Sequence, residues 1–218
     1  MQYVTYSDYF NPLDDYITGI FNDSAAVHRE LSIADHRVRI ASSHTRMVDI
    51  LMPAIEHLSC DPSDDTPGFT MFLVDVSKTK GGQLPLIPWE PLLRRGHRGL
   101  LIDGMYMQYV HIKATDAMIL SVYDTRKNQA YYIVSDAEKL PWYLCGAPLH
   151  EIFYWWARSN GMHILHCGVV GNQENGIALL GAKGAGKSTM VLSALENGFH
   201  YVSEDYCIVT GDDSPVAF

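Results

Sequence analysis

Apolar and polar positions in the first 76 residues follow two different periods, which predict short helices and strands in alternation. Helical spacing predicts helices over residues 14–21 and 45–59, whereas strand-like patterns predict strands over residues 37–40 and 70–76. The pair Asn11-Pro12 is expected to interrupt structure before the first helix, and Pro53 is expected to kink the second. This region is therefore expected to be mixed.

Between residues 99 and 134 the pattern becomes one strand after another. Residues 100–102, 105–112, 117–123 and 130–134 are rich in β-branched and aromatic residues, and short polar turns separate them. Antiparallel strands are the ones that short turns can join. We therefore expect an antiparallel β-meander.

Beyond residue 141 the pattern alternates between helix and strand. Leu149, Ile152, Phe153 and Trp156 mark one face of a helix that ends near Gly161, and core packing explains this aromatic stripe better than contact with a ligand. The later elements are predicted to be strands over residues 162–170, 176–180, 199–202 and 206–209, with a helix over residues 188–197. The predicted class is α/β in the mixed α+β sense, with a meander-rich region over 1–145 and a second region over 146–218.

A glycine-rich stretch between a predicted strand and a predicted helix fits the phosphate-binding pattern G-x-x-x-x-G-K-[ST], with Gly181, Gly186, Lys187 and Ser188 at its fixed positions. Small residues let backbone N–H groups surround a polyphosphate, and the following helix directs its positive dipole end at the same anion. In such loops the lysine reaches the β- and γ-phosphates, and the serine hydroxyl binds Mg²⁺. Nucleotide contacts are therefore predicted for Gly181, Ala182, Lys183, Gly184, Ala185, Gly186, Lys187, Ser188 and Thr189.

Two carboxylates, Glu204 and Asp205, follow Lys187 by 17 and 18 residues, at the end of the strand after the loop helix. If that strand runs parallel to the strand before the loop and beside it, both C-terminal ends open into one crevice. One carboxylate would then bind Mg²⁺ or its water, while the other would accept the proton of an attacking hydroxyl. We place the metal on Ser188 and Asp205. The alternative interpretation is a solvated acidic turn between two strands.

One histidine, His166, lies on the strand that precedes the loop strand. If the two strands pair as a hairpin, His166 can face the nucleotide crevice and contact phosphate or the acceptor. The alternative is a histidine in the core with its hydrogen bonds satisfied. Lys183, inside the loop, either adds charge near the phosphates or is simply solvated.

Composition and charge exclude several functional classes. Hydrophobic residues make up 47% of the 218 positions and charged residues 19%, as in ordinary globular proteins. The net charge of −9 argues against nucleic acid and anionic membranes as partners, because such surfaces are bound by clustered Lys and Arg. Four scattered cysteines without C-x-x-C spacing favour free thiols in a reducing compartment. No signal peptide or long apolar span is visible, so a cytoplasmic location is expected.

Three segments together resemble the HPr serine kinase/phosphatase catalytic domain, and more closely the stand-alone HPr-kinase-like serine kinases. These are the His-containing strand 165–169, the phosphate loop, and residues 198–206, where a Gly-aromatic segment leads into the acidic pair. The resemblance covers residues 162–209. It implies a phosphate-loop kinase core related to PEP carboxykinase, with ATP and Mg²⁺, and transfer to a serine hydroxyl of a peptide or small protein. Relatives are commonly oligomeric, so a homo-oligomer is one expected state.

On the matching positions, the resemblance makes the loop the ATP-phosphate cradle, Ser188 a metal ligand and His166 an active-site residue. Glu204 and Asp205 take the place of the acidic pair of the family, catalytic together with Lys187. Glu204 stands where the family usually has Asp, so the division of base and metal ligand between the two carboxylates stays open.

Only about thirty residues follow the loop, fewer than the C-terminal half that completes the sheet in relatives. Either the chain is a fragment, or a partner supplies the remainder. A second hypothesis is therefore a nucleotide-binding regulatory module without turnover. A transport or repair ATPase is disfavoured, because such proteins need a second nucleotide motif far downstream.

Overall fold

The computed structural model of the protein describes residues 5–23, 26–63, 65–80, 98–102, 104–172, 174–211 and 216–217. The chain divides into two compact units, Met1–Trp155 and Trp156–Phe218, which we call the N-terminal and C-terminal units. The boundary lies within a helix, whereas the sequence places it before that helix, between residues 145 and 146. Both units contain strands and helices, which confirms the mixed α and β class.

The N-terminal unit contains a mixed sheet of seven strands together with helices. Its elements are α1 (Tyr6–Asp23), β1 (Val27–Ile33), β2 (His36–Ser42), α2 (Thr45–Leu51), β3 (Phe69–Asp75), β4 (Arg98–Ile102), β5 (Met105–Ile112), β6 (Ala117–Asp124), β7 (Gln129–Val134) and α3 (Trp142–Gly146); α4 (His150–Ser159) contains the unit boundary. The strand order in the sheet is β1-β2-β3-β7-β6-β5-β4. Strands β2, β3 and β7 are parallel neighbours, and the other neighbours are antiparallel. The predicted meander is therefore confirmed as β4–β7.

Helix α1 packs against the sheet, and the expected interruption at Asn11-Pro12 is wrong because the helix runs through Pro12. Phe10 and Leu13 of this helix are at most 1% exposed and belong to the same apolar cluster as Leu120 of the sheet. A proline inside a helix costs about 3 kcal/mol. Burial of each large apolar side chain contributes about 1.5–3 kcal/mol, so the packed face of α1 outweighs the lost hydrogen bond.

The helix predicted over residues 45–59 is wrong in its second half. Helix α2 ends at Leu51, Met52 forms its cap, and only a short 3-10 turn follows at Glu56–Leu58. Pro53 has no N–H to continue the helix, and its ring would clash with the carbonyl group of Asp49. The proline therefore ends the helix instead of kinking it.

Strand β1 was not predicted, because charged residues interrupt its apolar alternation. Its Glu30 is nevertheless only 5% exposed, and it accepts hydrogen bonds from Arg37 at 2.6 Å and Arg39 at 2.7 Å on the neighbouring strand. Burial acts to raise the pKa of Glu30, but the hydrogen bonds from the two arginines outweigh it and lower that pKa below its ordinary value. The charged position is thus stabilised across the β1–β2 pair.

The C-terminal unit contains a three-stranded sheet in the order β10-β9-β11 and a two-stranded ribbon of β12 and β8. Strands β9 and β10 form the expected antiparallel hairpin. The single strand predicted over residues 162–170 is wrong, because it breaks at Cys167 into two strands that belong to different sheets. The elements are β8 (Met162–His166), β9 (Gly168–Gly171), β10 (Gly176–Leu179), α5 (Lys187–Glu196), β11 (His200–Ser203) and β12 (Tyr206–Thr210).

The chain passes between these two sheets at two adjacent points. One crossing is Cys167, between β8 and β9, and the other is the turn Glu204-Asp205, between β11 and β12. The backbone N–H of Cys167 donates to the carbonyl oxygen of Asp205 at 3.1 Å, which ties the crossings together. Beside them, Cys167, Val169 and Cys207 form a small buried apolar cluster.

Helix α5 lies over β9 and β11, where its Val191 is buried. Strand β10 forms one edge of the three-stranded sheet, and its Ile177 is 49% exposed. The phosphate loop begins directly after this strand. Both ends of the loop are therefore fixed by regular structure, while the loop itself lies at the surface.

Candidate active site

The phosphate loop has the backbone shape that its glycines predict. Gly184 and Gly186 have φ angles of 84° and 87°, in the left-handed region that favours glycine. A Cβ added at either position would meet no other atom within 4 Å, so the space beside both is open. At Gly181 a Cβ would lie 3.0 Å from the Cβ of Ala185, so the loop closes tightly there. An open, glycine-lined loop at the start of α5 fits a bound polyphosphate.

Lys187 is the first residue of α5, and its side chain turns back over the loop. Its Nζ donates a hydrogen bond to the carbonyl oxygen of Gly181 at 2.9 Å, so the cation lies across the loop that would hold the phosphates. Ser188 and Thr189 follow in the first helical turn, and both are exposed. Lys183 is also exposed, at the tip of the loop.

The strand order differs from the one expected. Strand β11 does not lie beside β10, because β9 separates them. Since β9 is antiparallel to both, β10 and β11 still run in the same direction. The last residue of β10, Leu179, pairs with Gly168 and the last residue of β11, Ser203, pairs with Val169. The loop, the acidic turn and the start of β9 therefore lie at the same end of the three-stranded sheet.

The two adjacent crossings between the sheets bring His166 and Asp205 into direct contact. The Nδ1 atom of His166 lies 2.8 Å from Oδ1 of Asp205, and their side chains are 50% and 64% exposed. The Tyr206 ring lies 5.2 Å from the imidazole ring, centroid to centroid. Both side chains are accessible to a substrate, which excludes the interpretation of His166 as a satisfied core residue.

Asp205 is the carboxylate of the acidic turn that contacts His166. Both carboxylates act on Tyr201. Burial, followed by the negative charges of Glu204 and Asp205, raises the pKa of its hydroxyl, while a hydrogen bond with the Glu204 backbone acts in the opposite sense. The sequence alone does not reveal which carboxylate contacts His166, because the residues are adjacent in the chain and equally acidic.

The positive charge of Lys187 acts on Cys167, the residue that follows His166. Burial raises the pKa of the Cys167 thiol, while its contact with Cys207 and the positive charge of Lys187 act in the opposite sense. Lys187 therefore lies close enough for its charge to act at the residue after His166. Among the sequence-predicted site residues, the structure places His166 on β8 in contact with Asp205, and it places the loop after β10 and the acidic turn after β11 at the same end of the three-stranded sheet.

Mg²⁺ would depend on the nucleotide for part of its coordination. Within the ranges that the structure describes, no group of three or more His, Cys, Asp and Glu side chains could hold a metal ion. Mg²⁺ is usually bound by one or two carboxylates together with substrate phosphates. The exposed hydroxyl of Ser188 and a carboxylate of the acidic turn are groups of the kinds that this mode uses.

Close packing at Gly168 connects the sheet edge to the loop helix. A Cβ at this position would lie 2.7 Å from Cγ2 of Val191, a residue of α5 that is 1% exposed. We expect Gly168→Ala to lower the free energy of unfolding of the C-terminal unit by about 1–3 kcal/mol, because the added methyl group overpacks this contact. Scanning calorimetry measures the loss.

Gly176→Ala is the matched control for this prediction, since a Cβ at Gly176 meets only the Val170 carbonyl oxygen at 3.8 Å, an ordinary contact. The free energy of unfolding of Gly176→Ala is expected to remain within about 1 kcal/mol of the wild-type value, the usual cost of exchanging Gly and Ala in regular structure. Equal stability of the two variants would contradict the packing argument.

No protein-family model matches the chain, and neither does any curated protein or solved structure. Among the described residues, no helix combines the length and apolar character needed to span a membrane. The functional interpretation therefore depends on the residues of the site and on their geometry.

Proposed function

We propose that the chain is an ATP-dependent serine kinase with a PEP-carboxykinase-like phosphate-loop core, resembling the HPr-kinase-like enzymes. Its γ-phosphate acceptor is the serine hydroxyl of a peptide or small protein. The observation that supports this most directly is that the phosphate loop and the turn that carries Asp205 of the His166–Asp205 pair follow strands that end at the same end of one sheet. A phosphate-binding site alone fits many functions, but an accessible carboxylate beside it fits transfer to a hydroxyl.

In this proposal the loop binds and orients ATP. The backbone N–H groups between Gly181 and Thr189 surround the phosphates, and Lys187 exchanges its hydrogen bond with the Gly181 carbonyl oxygen for the phosphate oxygens. Mg²⁺, when bound at Ser188, neutralises charge that develops on the phosphates. The phosphate loop and the Mg²⁺ ion would together hold the γ-phosphate in place for attack.

Asp205 is the proposed general base, and His166 orients its carboxylate through the 2.8 Å contact. As the serine oxygen forms its bond to the γ-phosphorus, the bond to the bridging oxygen breaks and ADP leaves. The serine proton passes to Asp205. Because Asp205 contacts His166 and acts as the base in this proposal, Glu204 is the carboxylate left for Mg²⁺. The proposal therefore reverses the sequence-based preference, which gives the metal to Asp205.

The experiment is a transfer assay with ATP labelled in the γ-phosphate, Mg²⁺, and an array of serine-containing peptides with alanine counterparts. We expect labelled serine peptides, unlabelled alanine counterparts and one ADP for each transferred phosphate. Calorimetry with ATP and Mg²⁺ accompanies the assay. Tight ATP binding without any transfer would favour the regulatory module, and no ATP binding at all would contradict both functions.

A further inference from the structure

The acidic turn is fixed by a residue that the proposed mechanism does not otherwise use. Ser203 is the last residue of β11 and is only 8% exposed. Its hydroxyl donates a hydrogen bond to the carbonyl oxygen of Tyr206 at 2.6 Å, and Tyr206 is the first residue of β12. This single bond spans the two residues between them, Glu204 and Asp205.

A second hydrogen bond fixes the same turn from the other crossing. The N–H of Cys167 donates to the Asp205 carbonyl oxygen, one residue after the histidine that Asp205 contacts. The two bonds restrain the turn at different points, Ser203 across its ends and Cys167 at Asp205 itself. Of these two bonds, the Ser203 bond comes from a side chain, so substitution can remove it directly.

We propose that Ser203 is a positioning residue that holds the carboxylate of Asp205 against His166. This inference rests on the proposed function for its catalytic consequence. Because Ser203 is buried, it acts through the turn and not by contact with ATP or the acceptor. Without its hydroxyl the turn loses the bond that joins its two ends, and Asp205 samples positions away from the imidazole.

The test compares Ser203→Ala with Ser203→Thr, which keeps the hydroxyl and suits a strand position. Nitrogen NMR of the His166 ring reports its contact with Asp205 directly. We expect Ser203→Ala to shift the His166 ring signals towards those of an Asp205→Ala variant, and Ser203→Thr to leave them unchanged. Transfer to serine peptides is expected to fall roughly three- to tenfold, the loss typical of one hydrogen bond.

The dissociation constant for ATP separates positioning from general damage. It is expected to remain at the wild-type value in both Ser203 variants, because the phosphate loop is unchanged. Wild-type His166 signals in Ser203→Ala would overturn the inference, as would a transfer loss that Ser203→Thr does not restore. If the wild-type protein transfers no phosphate, the proposed function fails separately, while the NMR comparison still decides whether Ser203 holds the turn.

Discussion

Replacing Lys187 with alanine is expected to weaken binding of Mg²⁺-ATP and to lower phosphate transfer by at least about 100-fold, the usual cost of removing one preorganised charged donor. The physical reason is the position of the ammonium group, which lies across the loop on the Gly181 carbonyl oxygen. No other lysine of the loop has this position, because Lys183 is at the exposed tip. Calorimetry with ATP and the peptide transfer assay measure the two losses.

Lys183→Ala is the matched control, since it removes the same charge from the same loop. We expect it to change ATP affinity by less than about tenfold, as is typical of an exposed charge. Equal losses in the two variants would mean that general electrostatic attraction, and not the fixed position of Lys187, holds the nucleotide. Undiminished transfer by Lys187→Ala would rule out the assigned site.

Asp205→Asn is expected to lower transfer by about 10²–10⁴-fold, the range that a general base contributes, while ATP still binds. Asparagine keeps the size of the side chain and an oxygen for the His166 contact, but it cannot take a proton from serine. The expected loss therefore appears in the rate of transfer at saturating ATP. Single-turnover measurements with preformed complex separate this rate from binding.

Glu204→Gln distinguishes the two carboxylates. If Glu204 helps to bind Mg²⁺, the Glu204→Gln variant needs a higher Mg²⁺ concentration for half-maximal transfer, but it recovers most of the wild-type rate at saturating Mg²⁺. The opposite pattern, with Glu204→Gln losing the rate and Asp205→Asn losing the Mg²⁺ response, would exchange the two roles. It would also mean that the contact with His166 orients Asp205 for binding Mg²⁺ and not for accepting the serine proton.

The phosphate loop could be predicted because its physics is local. Its glycines are needed for positive φ at Gly184 and Gly186 and for close approach at Gly181, and all are visible as a contiguous pattern. The helix after it was predicted to within about one residue at each end, since Gly198, with φ of 86°, ends it. Backbone requirements of this local kind can be predicted directly from the residue types.

The break at Cys167 could not be predicted, because it depends on distant partners. Residues 162–170 contain no turn-forming pair or proline, yet His166 pairs with Tyr206 in one sheet and Gly168 pairs with Leu179 in the other. The insertion of β9 between β10 and β11 has the same origin. Helix α1 shows the converse, since tertiary packing carries it through a proline that locally disfavours a helix.

The paired crossings at Cys167 and the acidic turn place the chemistry on a seam between two small sheets. The backbone hydrogen bond between Cys167 and Asp205 joins the two crossings directly. His166 is the residue before one crossing and Asp205 lies in the other, so the backbone segments that carry the two contacting side chains are held to each other at this point.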